Sequence, residues 1–221
     1  ELWFKVILHE LDYCCRLLSE GDAARALHTL KRVLTILKVL VAQLDILETM
    51  TPTEFRTFRE RLESASGFQS DQFRAFEFAL GRKTRASLDR FAEGTRDRAG
   101  LDKRWKAPTI WDYVIRYLAG VGYDIPADQL ERDVTAPIEA SEAVQAVLVK
   151  IYREDPANAD LCERLVDLDE GVQEWRYRHV KMVERTIGMK HGTGGSAGSK
   201  YLRTTLNSPA FPDLWEIRSQ L

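Results

Sequence analysis

Four histidines, His9, His28, His179 and His191, are the first candidates for chemistry in this chain. None stands four residues from another and none sits in a His-Glu-x-x-His pattern, so a helix-borne zinc site is not expected. A single helical histidine can still ligate haem iron, although a lone helical histidine is more often structural or exposed. His179 differs from the other three in its surroundings, Trp175-Arg176-Tyr177-Arg178-His179. A macrocycle needs an apolar wall and cations for its propionates, and aromatic and arginine residues beside one histidine supply both. The same composition fits an ordinary salt-bridged helix, and periodicity leaves both readings open. Gly192 to Gly198 places four glycines in seven residues. Such a loop can wrap a small anionic or zwitterionic ligand with backbone amides, with Thr193 adding a hydroxyl. It is no phosphate loop, because a helical pattern precedes it and the Gly-Lys-Ser/Thr ending is missing; a plain linker is the equal alternative. Arg59, one helical turn after Phe55, suits bidentate capture of a carboxylate, but Arg56 and Arg61 lie nearby and most arginines face solvent.

The elements that must position these groups are all helical in pattern. Leu2 to Leu18 repeats apolar residues at Leu2, Trp3, Val6, Ile7, Leu11, Cys14, Leu17 and Leu18, near the helical period. Asp22 to about Met50 carries two adjoining seams, one through Leu27, Leu30, Leu34, Leu37, Val41 and Leu44, the other through Val33, Ile36, Leu40 and Leu47. That predicts a strut on the order of 40 Å packed on more than one neighbour. Thr51-Pro52-Thr53-Glu54 is a capping box with proline at the first helical position, opening a short helix through Arg61. Phe68 to Leu80 reads as helix. Gly81 to Trp105, densely charged, reads as one or two short surface helices. Ala107 to Leu118, Ala140 to Arg153 and Cys162 to Met189 are further helices, with short ones near Lys200 to Leu206 and Asp213 to Leu221. No segment alternates with period two, so almost no sheet is expected. The fold class expected is all-α, a helical bundle of one domain over 1–221.

Composition bounds the partners. Lys plus Arg number 32 against 34 Asp plus Glu, a net charge of -2, so nothing global draws the chain to nucleic acid or an anionic membrane. No apolar run approaches the roughly 20 residues of a membrane span. Cys14, Cys15 and Cys162 form neither a disulfide framework nor a Cys-x-x-Cys site, which suits reduced thiols in a cytoplasm. The chain opens without methionine on a pattern already helical, so an upstream segment is expected.

Taken in order, Glu1-Leu2-Trp3-Phe4-Lys5, Leu47-Glu48-Thr49-Met50-Thr51-Pro52, Phe58-Arg59, Ser66-Gly67-Phe68-Gln69-Ser70, Gln72-Phe73-Arg74, Trp175-Arg176-Tyr177-Arg178-His179 and Gly192-Thr193-Gly194-Gly195-Ser196 resemble the tryptophan 2,3-dioxygenase family. The stretch from Gly81 to Ala140 adds little. The resemblance implies long antiparallel helices enclosing haem b, a homotetramer, and opening of the indole ring of L-tryptophan with O2 to give N-formylkynurenine. It implies His179 as the proximal iron ligand, Arg59 on the substrate carboxylate, Thr193 on the amino acid backbone, Phe55 in the aromatic pocket, and Ser66 and Gly67 at the distal turn. The family's distal histidine falls upstream of the segment matching Glu1, so no catalytic residue of that kind is expected within the chain.

Two departures touch this pattern. Leu62-Glu63-Ser64 replaces a segment that usually carries proline, and Met189-Lys190-His191 stands where many members have Phe-Lys-Arg; His191 is therefore a candidate for loop gating and not for ligation. They leave one alternative, a superfamily relative that mono-oxygenates tryptophan or a substituted aromatic amino acid; the distal segment expected upstream of Glu1 leaves a second, a haem- or tryptophan-binding protein without catalysis.

Overall fold

The structure, a computed structural model, describes residues 1–62, 70–190, 199–206 and 208–221, with the backbone alone at 200 and 201. Among the described residues the regular structure is helical: α1 (Leu2–Ser19), α2 (Ala23–Leu47), α3 (Pro52–Arg59), α4 (Asp71–Ala79), α5 (Arg85–Leu88), α6 (Arg96–Lys106), α7 (Ile110–Gly120), α8 (Ala127–Leu130), α9 (Glu142–Glu154), α10 (Pro156–Ile187), α11 (Ser199–Arg203) and α12 (Pro212–Glu216), with short 3-10 turns at Glu60–Leu62 and Ile217–Gln220. The expected all-α class is what the chain adopts. It forms two compact units, whose boundaries fall within α2, just before α4, within α10 and after α11.

The first unit comprises residues 1–34, 71–169 and 209–221. Its centre is α1, which packs on α4 and α7. Phe4, Ile7, Leu11, Cys14 and Leu18 are buried, three and four residues apart as one face of a helix requires. Leu2, Trp3 and Val6, grouped with that stripe on apolar character, lie off it and are exposed; Phe4 is the stripe's first member and meets Phe73 and Phe76 at ring centroid distances of 5.3 and 5.7 Å. α4 ends in a left-handed turn at Gly81 (φ 93°). There the Arg82 amide donates to the Glu77 carbonyl and the Gly81 amide to that of Phe78, at 2.9 and 3.1 Å, the pairing of a Schellman motif.

The charged stretch from Gly81 to Trp105 forms two short helices, α5 and α6, and is exposed over more than half its length, as expected, but one face of it is interior. Leu88, Phe91 and Leu101 join Phe78 in a core cluster, and Lys83, Ser87 and Arg98 are buried with them. Arg98 donates to the carbonyls of Leu88 and Phe91 at 3.3 and 3.0 Å. The Lys83 ammonium donates to the carbonyls of Trp105, Ala107 and Val134 at 2.8, 2.6 and 2.7 Å. Buried charge is tolerated where each donor finds an acceptor; the acceptors of Arg98 lie within ten residues of it, whereas those of Lys83 come from 22 to 51 residues further on.

α7 opens on a capping box that Asp112 completes. Its carboxylate accepts from the Thr109 amide at 2.6 Å and hydroxyl at 2.7 Å, and from both Arg132 nitrogens at 2.6 and 2.9 Å. Burial pushes the Asp112 carboxyl up, but the hydrogen bonds from Arg132 and Thr109 outweigh it and hold its pKa below the usual value. The unfolded chain therefore binds this proton at higher pH than the folded one. The stabilisation is complete above the ordinary carboxylate range and is lost as pH falls through the folded pKa. Asp112→Asn should lower stability near neutral pH and flatten the fall in stability between about pH 5 and pH 2, read from urea midpoints across that range; a parallel acid limb in both proteins would count against it.

Candidate functional site

The second unit comprises residues 35–70 and 170–208 and, among the described residues, carries Phe55, Arg59 and His179. α10 supplies the histidine. It begins at Pro156, six residues before the apolar pattern at Cys162 suggests, because Asp155 caps it: its Oδ1 accepts from the Asn158 amide at 3.1 Å, and proline suits the first helical position. Within this unit α10 lies close to the later half of α2. A Cβ added to Gly171 would stand 2.7 Å from Leu37 Cδ2, so the missing side chain is what permits the approach. Two arginines seven residues apart on α10 fix the register. Arg178 pairs with Asp45 and with Glu48, the latter at 3.1 Å, and Arg185 reaches the same Glu48 oxygen at 3.3 Å. Leu47, counted in an apolar seam of α2, is exposed beside this polar end.

His179 sits on the helix so fixed. Its ring is stacked on Trp175, one turn earlier, with centroids 5.2 Å apart and planes 2° from parallel. His9 and His28 are exposed, whereas His179 is partly buried beside buried Arg176. Burial first, and then the Arg176 charge, hold its pKa below the ordinary imidazole value. The ring is neutral at neutral pH, the form whose lone pair can bind a metal. Among the described residues no three His, Cys, Asp or Glu side chains gather into a metal cage. His179 offers one nitrogen, which is the donor set that a haem iron asks of a protein, and the residues present fit that group.

α3 carries the second feature. Thr51 and Glu54 form the expected capping box, with the Thr51 amide donating to Glu54 at 2.7 Å and the Glu54 amide to Thr51 Oγ1 at 3.3 Å. Phe55 and Arg59 then fall four residues apart, on one face. Both are half-buried while Arg56 and Arg61 are exposed, which distinguishes Arg59 from the arginines around it. Phe55 is held edge-on by Phe58 at 5.3 Å. Ser66, Gly67 and Thr193, like His191 and the glycine-rich loop, lie outside the described residues. α11, just after that loop, is tied to α10 through Arg203 and Glu184 at 2.5 Å and through Ser199 Oγ donating to the Gly188 carbonyl at 3.3 Å.

The stack on His179 and the Glu48 clamp were not anticipated as a positioning device. The four-residue spacing of Trp175 and His179 is a signal that could have found the stack. The cysteines take no part: burial pushes the Cys14 and Cys162 thiols up to about 12 and raises Cys15 as well, so none is a thiolate nucleophile at neutral pH.

The class defined so far is an all-α protein whose long helix presents one neutral imidazole, with an arginine–aromatic face on a short helix of the same unit. Comparison with known proteins narrows it. The sequence profile described as tryptophan 2,3-dioxygenase matches residues 1–103 and 143–221, so the likeness runs further into the charged stretch than the motifs before Gly81 indicate. The tryptophan 2,3-dioxygenase of Herpetosiphon aurantiacus is 58% identical over all of this chain and 84% of its own length. That of Anaeromyxobacter sp. (strain K) is 56% identical over all of this chain and 83% of its own, and that of Kineococcus radiotolerans 44% over all of this chain and 78% of its own. The chain belongs to the tryptophan 2,3-dioxygenase family and is an oxidoreductase of the dioxygenase type.

Proposed function

We propose that this chain, as a single catalytic domain, holds haem b on His179 and opens the indole ring of L-tryptophan with O2, yielding N-formylkynurenine. The observation that carries the reading is His179 itself, an imidazole whose pKa burial holds low and which is fixed by an aromatic stack on a clamped helix; the resemblance to the family assigns the iron ligand to it. Haem, when bound, supplies the iron that activates O2. The protein's own part is binding and orientation. Phe55 offers an apolar face for the indole, and Arg59 a guanidinium for the carboxylate of the zwitterion. Thr193 is assigned to the amino acid backbone, and Ser66 with Gly67 to the distal turn. No side-chain nucleophile is needed; holding the indole C2–C3 bond in a reactive orientation contributes several kcal/mol. The partners are L-tryptophan and O2, and the assembly is a homotetramer, supported by exposed Leu2, Trp3 and Val6 on α1 as surface for a second copy. Among the described residues no helix is long and apolar enough to cross a membrane, and the three free cysteines suit a cytoplasmic protein.

The test is to reduce the full protein, add L-tryptophan and O2, and follow the Soret band together with the products. Haem with one N-formylkynurenine formed per tryptophan consumed is expected; a singly oxygenated product would move the chain to the mono-oxygenating relatives. Arg59→Leu should raise KM for tryptophan roughly 30- to 100-fold with a smaller change in kcat, the size of one lost charge-assisted contact made in ground and transition states alike. Steady-state kinetics over a wide tryptophan range checks it, and an unchanged KM would remove Arg59 from the carboxylate site.

A further inference from the structure

We propose that Trp175 is a positioning residue for His179, its indole face fixing the plane in which the imidazole presents its nitrogen to haem iron. The inference rests on the reading of His179 as the iron ligand and adds a residue that acts through it. The second torsion of a histidine side chain is broad and weakly restrained, so an imidazole on an otherwise ordinary helix can turn about its own axis. Here it cannot turn freely, because the Trp175 ring lies parallel to it within 2° at a centroid distance of 5.2 Å. Parallel offset stacking is a favoured arrangement for flat rings; apolar packing alone would ask only for contact and not for parallel planes. The spacing matters as much as the contact. Trp175 and His179 are four residues apart on α10, so one helix carries both rings and no loop has to close to bring them together. Neighbouring Arg178 is anchored to Asp45 and Glu48 on α2, which keeps α10 from rotating and carrying the stacked pair with it. Burial drives Trp175 and His179 together; the stack then restricts the one torsion that helix geometry leaves open.

The experiment compares Trp175→Leu with Trp175→Phe in the haem-loaded protein. Two quantities are read: the rate of haem transfer to excess apomyoglobin, and the iron–histidine stretching band of the ferrous protein by resonance Raman. Leucine keeps apolar bulk and loses the flat face, so haem loss should quicken roughly 3- to 10-fold and the band should shift or broaden. Phenylalanine keeps a flat face and should restore most of both. A leucine variant with wild-type haem loss and an unchanged band would overturn the proposal. So would a phenylalanine variant as impaired as leucine, since the stacked face would then not be what matters. Failure of the underlying reading looks different: wild-type protein would show no iron–histidine band, and His179→Ala would retain haem at the wild-type rate, whatever residue stands at 175.

Discussion

His179→Ala should leave a folded protein that no longer retains haem, with affinity lower by more than about 100-fold and ring cleavage lost with the cofactor. His179 is only partly buried, and its neighbours on α10 hold the helix without it: Arg178 and Arg185 pair with Glu48, and Gly171 lets Leu37 approach. Removing the imidazole therefore deletes a donor and leaves the frame. Helical circular dichroism should match the wild type, and thermal midpoints of the haem-free proteins should differ by only a few degrees, the shift about 1 kcal/mol produces in a domain of this size. The sign of the pH effect follows from the same ring. Burial and Arg176 hold the His179 pKa below its ordinary value, so protonation competes with ligation only below the ordinary imidazole range, and haem retention should persist through neutral pH and fall on acidification. Added imidazole should partly restore the Soret band in the alanine variant. Full haem retention and turnover by the alanine variant would place the ligand elsewhere in the protein.

Much of this frame was legible in the sequence because it is local. The capping box of α3 is a four-residue signal, and the structure forms it with the expected partners. The seams of α2 follow the helical period, and Leu30, Val33, Leu37, Leu40 and Leu44 are buried. What could not be read is what depends on distant segments. Lys83 looks like a surface residue in a charged run; it is interior because the carbonyls of Trp105, Ala107 and Val134, 22 to 51 residues on, receive it, and no short window of sequence contains those partners. The start of α10 was a missed local cue, since Asp155-Pro156 is a cap followed by proline and the weak apolar content of Ala157 to Leu161 hid it. For the site, Arg59 could not be separated from Arg56 and Arg61 by type; their differing exposure separates them. His179 stood out through Trp175 and Arg176, but the parallel stack is a torsional fact that composition does not encode.

Lys83→Met should destabilise the first unit by on the order of 3–5 kcal/mol, among the largest single effects in the chain. Methionine matches lysine in length and is comfortable in a core, so the loss is not one of volume. It lies in the carbonyls of Trp105, Ala107 and Val134, each of which accepts from Lys83 Nζ within 2.8 Å. Two of these belong to the end of α6, where a helix leaves carbonyls without intrahelical donors and where its dipole favours a cation. The third belongs to the irregular segment after α8, so one ammonium ties a turn, a helix end and a loop together. Buried acceptors that lose their donor cost about 1–3 kcal/mol each, offset in part by no longer burying a charge. Burial pushes the Lys83 pKa down to about 8, below its unfolded value. The unfolded chain thus binds more protons between pH 8 and the ordinary lysine range, and this group's contribution to wild-type stability rises with pH across that window. The methionine variant lacks that slope, so the deficit should widen as pH is raised through it. The segment tied down, 104–142, is the part that the family profile leaves unmatched, whereas Lys83 itself lies within the matched region. The destabilisation should therefore appear in urea midpoints and in hydrogen exchange of residues 131–136, while the haem spectrum of protein that remains folded stays as in the wild type. Equal urea midpoints for Lys83→Met and wild type would mean that water replaces the ammonium at these carbonyls, and that the loop after α8 is held by Arg132 and Asp112 alone.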